Sequence, residues 1–230
     1  MNSFEMPAQN HKELNPVLWD GDSLKPAVEH ALLKIAKAYW QFLSIDTPVT
    51  DIVISGSQAN FNYGKHSDID LHLIVSYANV QCDMAVDELF NTKRKLWKEQ
   101  HNIDIHGIPV EVYVEDTAKP AVTASYSLLK NTWVSPPKHI DTEASPDRIQ
   151  RLCKAWMKLI TNSIKTKDLE QIDQAKELLW TYRKVGLARE GEMGVPNLVF
   201  KTLRNSGVTE LLLMAVREIN DRKLSLENIS

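Results

Sequence analysis

Cysteine is scarce: Cys82 and Cys153 are the only two in 230 residues, they lie far apart, and neither sits in a C-x-x-C pair. That excludes a disulfide framework and suits free thiols in a reducing cytoplasm, where each packs as a small hydrophobe. No apolar run approaches the roughly 20 residues needed to cross a bilayer, and the polar N-terminus lacks the apolar core of a secretory signal, so no membrane partner is expected. Charge of one sign is missing as well. A formal net charge of −3 and a pI near 6.2 give no global attraction to nucleic acid or anionic lipid, and any such contact would need a local basic patch. His66, His72, His101 and His106 have neither the short paired spacing nor the cysteine company of structural zinc. Internal repeats and low-complexity tracts are absent. What remains, at 43% hydrophobic and 25% charged residues, is an ordinary globular composition with enough chain for one large domain or two small ones.

Periodicity divides that chain. Residues 1–21 mix proline, asparagine and charge without a period and read as an arm that orders only by docking. From Asp22 or Ser23 as N-cap, Val28, Leu32, Ile35, Tyr39 and Phe42 recur at helical spacing. Strands are expected over 49–55 and 69–75, then a helix over about 84–100, then a hairpin of 103–105 and 108–114 around His106-Gly107. The proline-bearing stretch 132–146 marks a boundary. Beyond it the pattern is helical: Ile149 to Ile160, Leu169 to Tyr182, and two shorter segments through Leu203 and through Leu211 to Val216. The expected architecture is α+β, a small mixed sheet with helices followed by a C-terminal helical bundle. Its parts are an arm (1–21), a catalytic domain (22–140) and a helical domain (141–230).

The chemistry concentrates in the first half. In Ser67-Asp68-Ile69-Asp70-Leu71-His72-Leu73, alternation puts Asp68, Asp70 and His72 on one side of a strand and Ile69, Leu71 and Leu73 on the other. Two carboxylates at that spacing repel unless water or a cation lies between them. Magnesium suits the pair, because it takes one or two carboxylates, keeps waters and accepts phosphate oxygens. An acidic solvated strand face is the plainer alternative. Upstream, the β-branched run 50–55 stops at Gly56-Ser57, where glycine permits close backbone approach to phosphate and Ser57 adds a hydroxyl. Two-ion chemistry asks for a third carboxylate from another strand. Glu111, flanked by Val110 and Val112, fills that place better than Glu115 at the polar strand exit. His72, on the face of Asp70, is placed either to hydrogen-bond a carboxylate or phosphate or to fix strand geometry.

Together, Gly56-Ser57, Asp68-x-Asp70 and the carboxylate of Val-Glu-Val-Tyr-Val resemble the active-site pattern of the nucleotidyltransferase superfamily with a polymerase-beta-type catalytic core. More narrowly, 54–137, with Trp97, Tyr126-Ser127-Leu128-Leu129 and Trp133, is similar to nucleotidyltransferase-domain proteins of tailed phages. So are Tyr182-Arg183-Lys184-x-Gly186-Leu187 and Asn197-Leu198-Val199-Phe200-Lys201-x-Leu203-Arg204. The third position is often aspartate in the superfamily and is glutamate here. The resemblance implies transfer of NMP from an NTP to a hydroxyl with release of pyrophosphate, in a cytoplasm that is the host's if the chain is phage-encoded. Asp68, Asp70 and Glu111 would hold two Mg²⁺ ions, with Mn²⁺ as a substitute, and Gly56 and Ser57 would grip phosphate.

A triphosphate carries more charge than two ions neutralise, which makes Lys184, Lys201 and Arg204 candidates for nucleotide binding. The acceptor, whether protein, RNA or small molecule, is not encoded in these residues. The rival expectation is a catalytically silent nucleotide-binding or protein-interaction module of the same fold. A nuclease built on the same carboxylates lacks an evident water-activating base.

Overall fold

Two β-branched runs organise the first half of the chain. Val49–Ser55 (β3) and Ile69–Val75 (β4) pair antiparallel, and along β4 burial alternates strictly, with Ile69, Leu71, Leu73 and Val75 fully buried. A strand presents successive side chains to opposite faces, so one face is committed to the core and the other is left half-open. The computed structural model describes Phe4 and residues 11–81, 85–119, 123–139 and 145–225. Cys82, and Met84 at the expected helix start, lie outside the described residues. The chain divides into two units, Ala8–His139 and Ile140–Ser230 with Met1–Pro7.

In the first unit, β3 and β4 lie at the centre of a six-stranded mixed sheet of order β5-β6-β4-β3-β7-β8. The other strands are Asp104–Ile105 (β5), Ile108–Asp116 (β6), Ser125–Ser127 (β7) and Thr132–Ser135 (β8). Only β4 and β6 run parallel. Their crossover carries the helix Val86–Gln100 (α2), as parallel pairing requires a long return connection. The β5–β6 hairpin turns at His106 and Gly107, both at positive φ (52° and 79°), the backbone of a type I′ turn. Pro26–Leu43 (α1) and α2 supply Val28, Leu32, Tyr39, Phe90 and Trp97 to the same core as Ile54, Leu71 and Val112. Burying each such side chain contributes about 1.5–3 kcal/mol.

Two expectations need correction. Helix α1 starts at Pro26 with Lys25 as N-cap, not at Asp22 or Ser23. Ser23 instead belongs to a short hairpin, Trp19–Asp20 (β1) with Ser23–Leu24 (β2), and Pro26 at the first turn already has the φ a helix needs. Residues 132–135, assigned to the interdomain boundary, form edge strand β8 paired with β7. Two short strands rich in serine carry too weak an alternation to be read directly. Residues 11–20 of the arm, expected to order by docking, are docked: Leu14, Leu18 and Trp19 are buried. Asn15 Nδ2 donates to Gln58 Oε1 at 2.9 Å, and Trp19 Nε1 donates to Gln58 O at 2.7 Å.

The second unit is helical: Pro146–Thr166 (α3), Leu169–Glu190 (α4), Val195–Asn205 (α5) and Val208–Leu224 (α6). Ser145 and Asp168 cap α3 and α4, accepting from Arg148 N and Glu170 N, which satisfies donors that the helix itself cannot. Helix α5 is buried through most of its length. Gly186 lets α4 approach it, since a Cβ there would lie 2.2 Å from Pro196 Cβ.

Candidate active site

The half-open face of the sheet gathers the polar side chains. Because β4 and β6 run parallel with Asp70 opposite Glu111 and His72 opposite Tyr113, and because β3 places Ser55 opposite Asp70, Glu111, Asp70 and Ser55 stand abreast on three neighbouring strands. Tyr113 and His72 form the next rung. Asp68 is not on the strand as expected: β4 begins at Ile69. The chain of β3 has already turned away at Gly56–Ala59, a single 3₁₀ turn, and Asp68 sits half-exposed in the approach to β4.

Gly56 is required by geometry. Its φ is +75°, and a Cβ would fall 2.1 Å from Asp70 Oδ2, inside the space that the carboxylate occupies. The turn and the aspartate are therefore packed backbone against carboxylate. Ser57 Oγ donates to Ser67 Oγ (2.9 Å), which in turn accepts from Gly64 N (2.9 Å). Gln58 Nε2 donates to Ser67 O at 3.4 Å. In this arrangement Ser57 ties the turn to the loop that delivers Asp68 rather than pointing a free hydroxyl outward.

Glu111 is held from three sides. Lys98 Nζ donates to its Oε1 in a close ion pair, Tyr113 Oη donates to Oε2 at 2.7 Å, and Arg94 Nη1 lies 3.9 Å from Oε2. The Arg94 guanidinium also stacks 4.7 Å above the Tyr113 ring. Partial burial pushes the Glu111 carboxyl up. The Lys98 and Tyr113 hydrogen bonds and the two cations outweigh that and hold it below the usual carboxylate range. Burial first, then the charge of Asp70 and the bond to Glu111, push the Tyr113 phenol up, so it remains a donor.

One rung further, His72 joins two strands. Its Nε2 is 2.9 Å from Ser55 Oγ, its Nδ1 is 3.3 Å from Glu115 Oε2, and its ring stacks on Tyr113 at 4.9 Å and 14°. Contact with His72 is the main influence holding the Glu115 carboxyl low, against burial. Beyond it, buried Asp51 accepts from Ser127 Oγ at 2.6 Å and from Lys130 Nζ at 2.8 Å. Ser55, His72, Glu115, Asp51, Lys119 and Lys130 border an open cleft of about 570 Å³.

Among the described residues, no three His, Cys, Asp or Glu side chains stand close enough together to form a metal-holding cluster. No described helix is long and apolar enough to cross a membrane. Lys184 and Arg204 are exposed on α4 and α5, and Lys201 is half-buried on α5, all three in the helical unit. Beside them, Arg183 stacks 4.5 Å over Phe200 and donates from Nε to Asn197 Oδ1 at 3.3 Å. Its guanidinium is pushed down by burial and then by the charge of Arg204.

No protein-family model matches the chain, and no curated protein matches it. A solved structure described as a STING-associated CdnE c-di-GMP synthase from Capnocytophaga granulosa is similar at 14% identity, over 87% of this chain and 83% of that one, with a TM-score of 0.23. At that score the likeness carries no argument, and the chemistry has to be argued from the sheet face itself.

Sequence reasoning missed the partners of that face. From the basic run Lys93-Arg94-Lys95 with Lys98 on α2, Arg94 and Lys98 bind Glu111 and Lys93 lies 5.6 Å over Phe42. Helical spacing does show that Arg94 and Lys98 share a side, being four residues apart. Glu115, set aside as a metal ligand, instead faces His72, which the period-2 pattern of β4 and β6 would have allowed once their parallel register was known.

Proposed function

We propose that this chain is a metal-dependent nucleotidyltransferase that moves NMP from an NTP to a hydroxyl acceptor and releases pyrophosphate. The observation that carries the reading is the packing of Gly56 against Asp70, with Glu111 at the same level of the adjacent strand. A glycine turn pressed on a carboxylate brings backbone N–H donors and acidic oxygens to one place, which is what a triphosphate with a hard cation needs.

Magnesium asks for only one or two carboxylates, so Asp70 with Asp68 would serve, while Glu111 does not form a three-carboxylate cluster with them and would join only by leaving Lys98 and Tyr113. The chemistry that a magnesium ion held by Asp68 and Asp70 would supply is neutralisation of phosphate charge and a lowered pKa for the acceptor hydroxyl. The remaining work belongs to the chain. The Gly56–Ser57 backbone orients phosphate, the Ser57–Ser67 bond fixes the loop bearing Asp68, and Tyr113 and Arg94 hold Glu111 in place.

The experiment is incubation of the purified chain with each α-labelled NTP, Mg²⁺ or Mn²⁺ and a cell extract, comparing wild type with Asp70→Asn. Transfer of label that the variant abolishes, with an unchanged melting curve, supports the reading; equal transfer by the variant refutes it. One observation favours a second reading, a silent nucleotide-binding module: the Glu111 carboxylate already has Lys98 and Tyr113 as partners. Magnesium-dependent NTP binding without pyrophosphate release over many acceptors would establish that alternative.

A further inference from the structure

We propose that Ser55 is a covalent acceptor within this chain, taking a nucleotidyl group on its own Oγ. This rests on the nucleotidyltransferase reading and names an acceptor for it. Three features of the sheet face lead there. Ser55 is the cross-strand partner of Asp70, so its hydroxyl lies on the same face and at the same level as the phosphate-handling carboxylate. It also borders the open cleft and is reachable by a ligand.

The third feature is where its proton points. Ser55 Oγ is 2.9 Å from His72 Nε2. The ring is fixed by stacking on Tyr113, and its buried Nδ1 makes no hydrogen bond but lies 3.3 Å from Glu115 Oε2, close enough for that carboxylate to orient it. With Nδ1–H toward Glu115, Nε2 offers its lone pair to the serine. A hydroxyl, an imidazole within hydrogen-bond reach and a carboxylate orienting that imidazole are the parts of an activated oxygen nucleophile. Four other hydroxyls on or near the cleft are spent differently. Thr50 Oγ1 and Ser125 Oγ donate to backbone carbonyls, and Thr117 Oγ1 and Ser127 Oγ donate to carboxylates. Ser55, by contrast, faces a nitrogen base.

The step balances. Ser55 Oγ forms a bond to the α-phosphorus of an NTP, the bond from that phosphorus to the bridging oxygen breaks, and pyrophosphate leaves with the electron pair. The serine proton passes to His72 Nε2, and Glu115 faces the resulting imidazolium. Glu115 is a positioning residue in this scheme, since it acts through His72.

The test is intact-mass and peptide mass spectrometry of the full chain after incubation with each NTP and Mg²⁺ or Mn²⁺. The expected result is addition of one NMP to the peptide carrying Ser55, lost in Ser55→Ala and retained in Ser55→Thr, which keeps the hydroxyl. His72→Gln should slow the addition by about 10²-fold or more, and Glu115→Gln should lower its rate with the NTP KM unchanged. Mapping on the wild type needs no variant to fold. Label on a different residue, or transfer to molecules of the extract with Ser55 unmodified, overturns the inference and leaves the nucleotidyltransferase reading standing. No transfer to any acceptor overturns both.

Discussion

Replacing Gly56 by alanine separates two costs that the structure assigns to one residue. The first is backbone strain: at φ +75° an L-residue loses about 1–2 kcal/mol relative to glycine. The second is collision, because the new Cβ would sit 2.1 Å from Asp70 Oδ2, well inside van der Waals contact, so the carboxylate has to retreat by about 1 Å. Gly107 is the control. Its φ is +79° and a Cβ there meets nothing within 4 Å, so Gly107→Ala pays strain alone. By urea denaturation followed by tryptophan fluorescence, Gly107→Ala should lose about 1–2 kcal/mol, and Gly56→Ala should lose more. In a background carrying Asp70→Ala the excess at position 56 should vanish, giving a coupling energy of about 0.5–3 kcal/mol between the two sites. Since a displacement of about 1 Å at a reacting centre can cost about 10²-fold in rate, Gly56→Ala should also depress nucleotide transfer by about that factor. If Gly56→Ala costs the same with and without the Asp70 carboxylate, the packing of turn on aspartate is refuted.

Three further outcomes follow from the same face and from the helical unit. The Glu111 carboxyl is held low, so its ionised partners stabilise the fold fully above the unfolded value of about 4.3, and that contribution disappears as pH falls through the folded value. The stability gap between wild type and Glu111→Gln should therefore close on acidification below about pH 4, and a gap independent of pH would contradict the ion-pair assignment. Asp51→Ala removes a buried acceptor from Ser127 and Ile52 N and should cost about 2 kcal/mol in urea titrations. The exposed Lys130 adds little, so Lys130→Ala should cost well under half as much. Burial pushes the Cys153 thiol up to about 11, so in a Cys82→Ser background a disulfide reagent should find no reactive thiol at pH 8 until denaturant is added.

How much of this was legible in the sequence depended on the range of the interactions. The apolar–polar alternation of 49–55 and 69–75 and the His106-Gly107 turn are local signals, and β3, β4 and the β5–β6 hairpin follow them closely. Glu111 could be chosen over Glu115 by its valine neighbours, and the parallel register puts it opposite Asp70. What fixed the side chains on that face was long-range. Lys98 and Arg94 come from a helix and Ser127 from a three-residue strand, and in the adjoining turn Gln58 is held by Asn15 and Trp19 of a segment with no period of its own. The Ser55–His72–Glu115 alignment needs three strands in register, and no single window of sequence contains it.

The most direct measurement is Mn²⁺ binding to the full chain by electron paramagnetic resonance, in the presence of a non-hydrolysable NTP analogue, for wild type, Asp70→Asn and Glu111→Gln. The account predicts nucleotide-dependent Mn²⁺ binding that Asp70→Asn abolishes and Glu111→Gln weakens. Binding of equal strength in wild type and Asp70→Asn would contradict it.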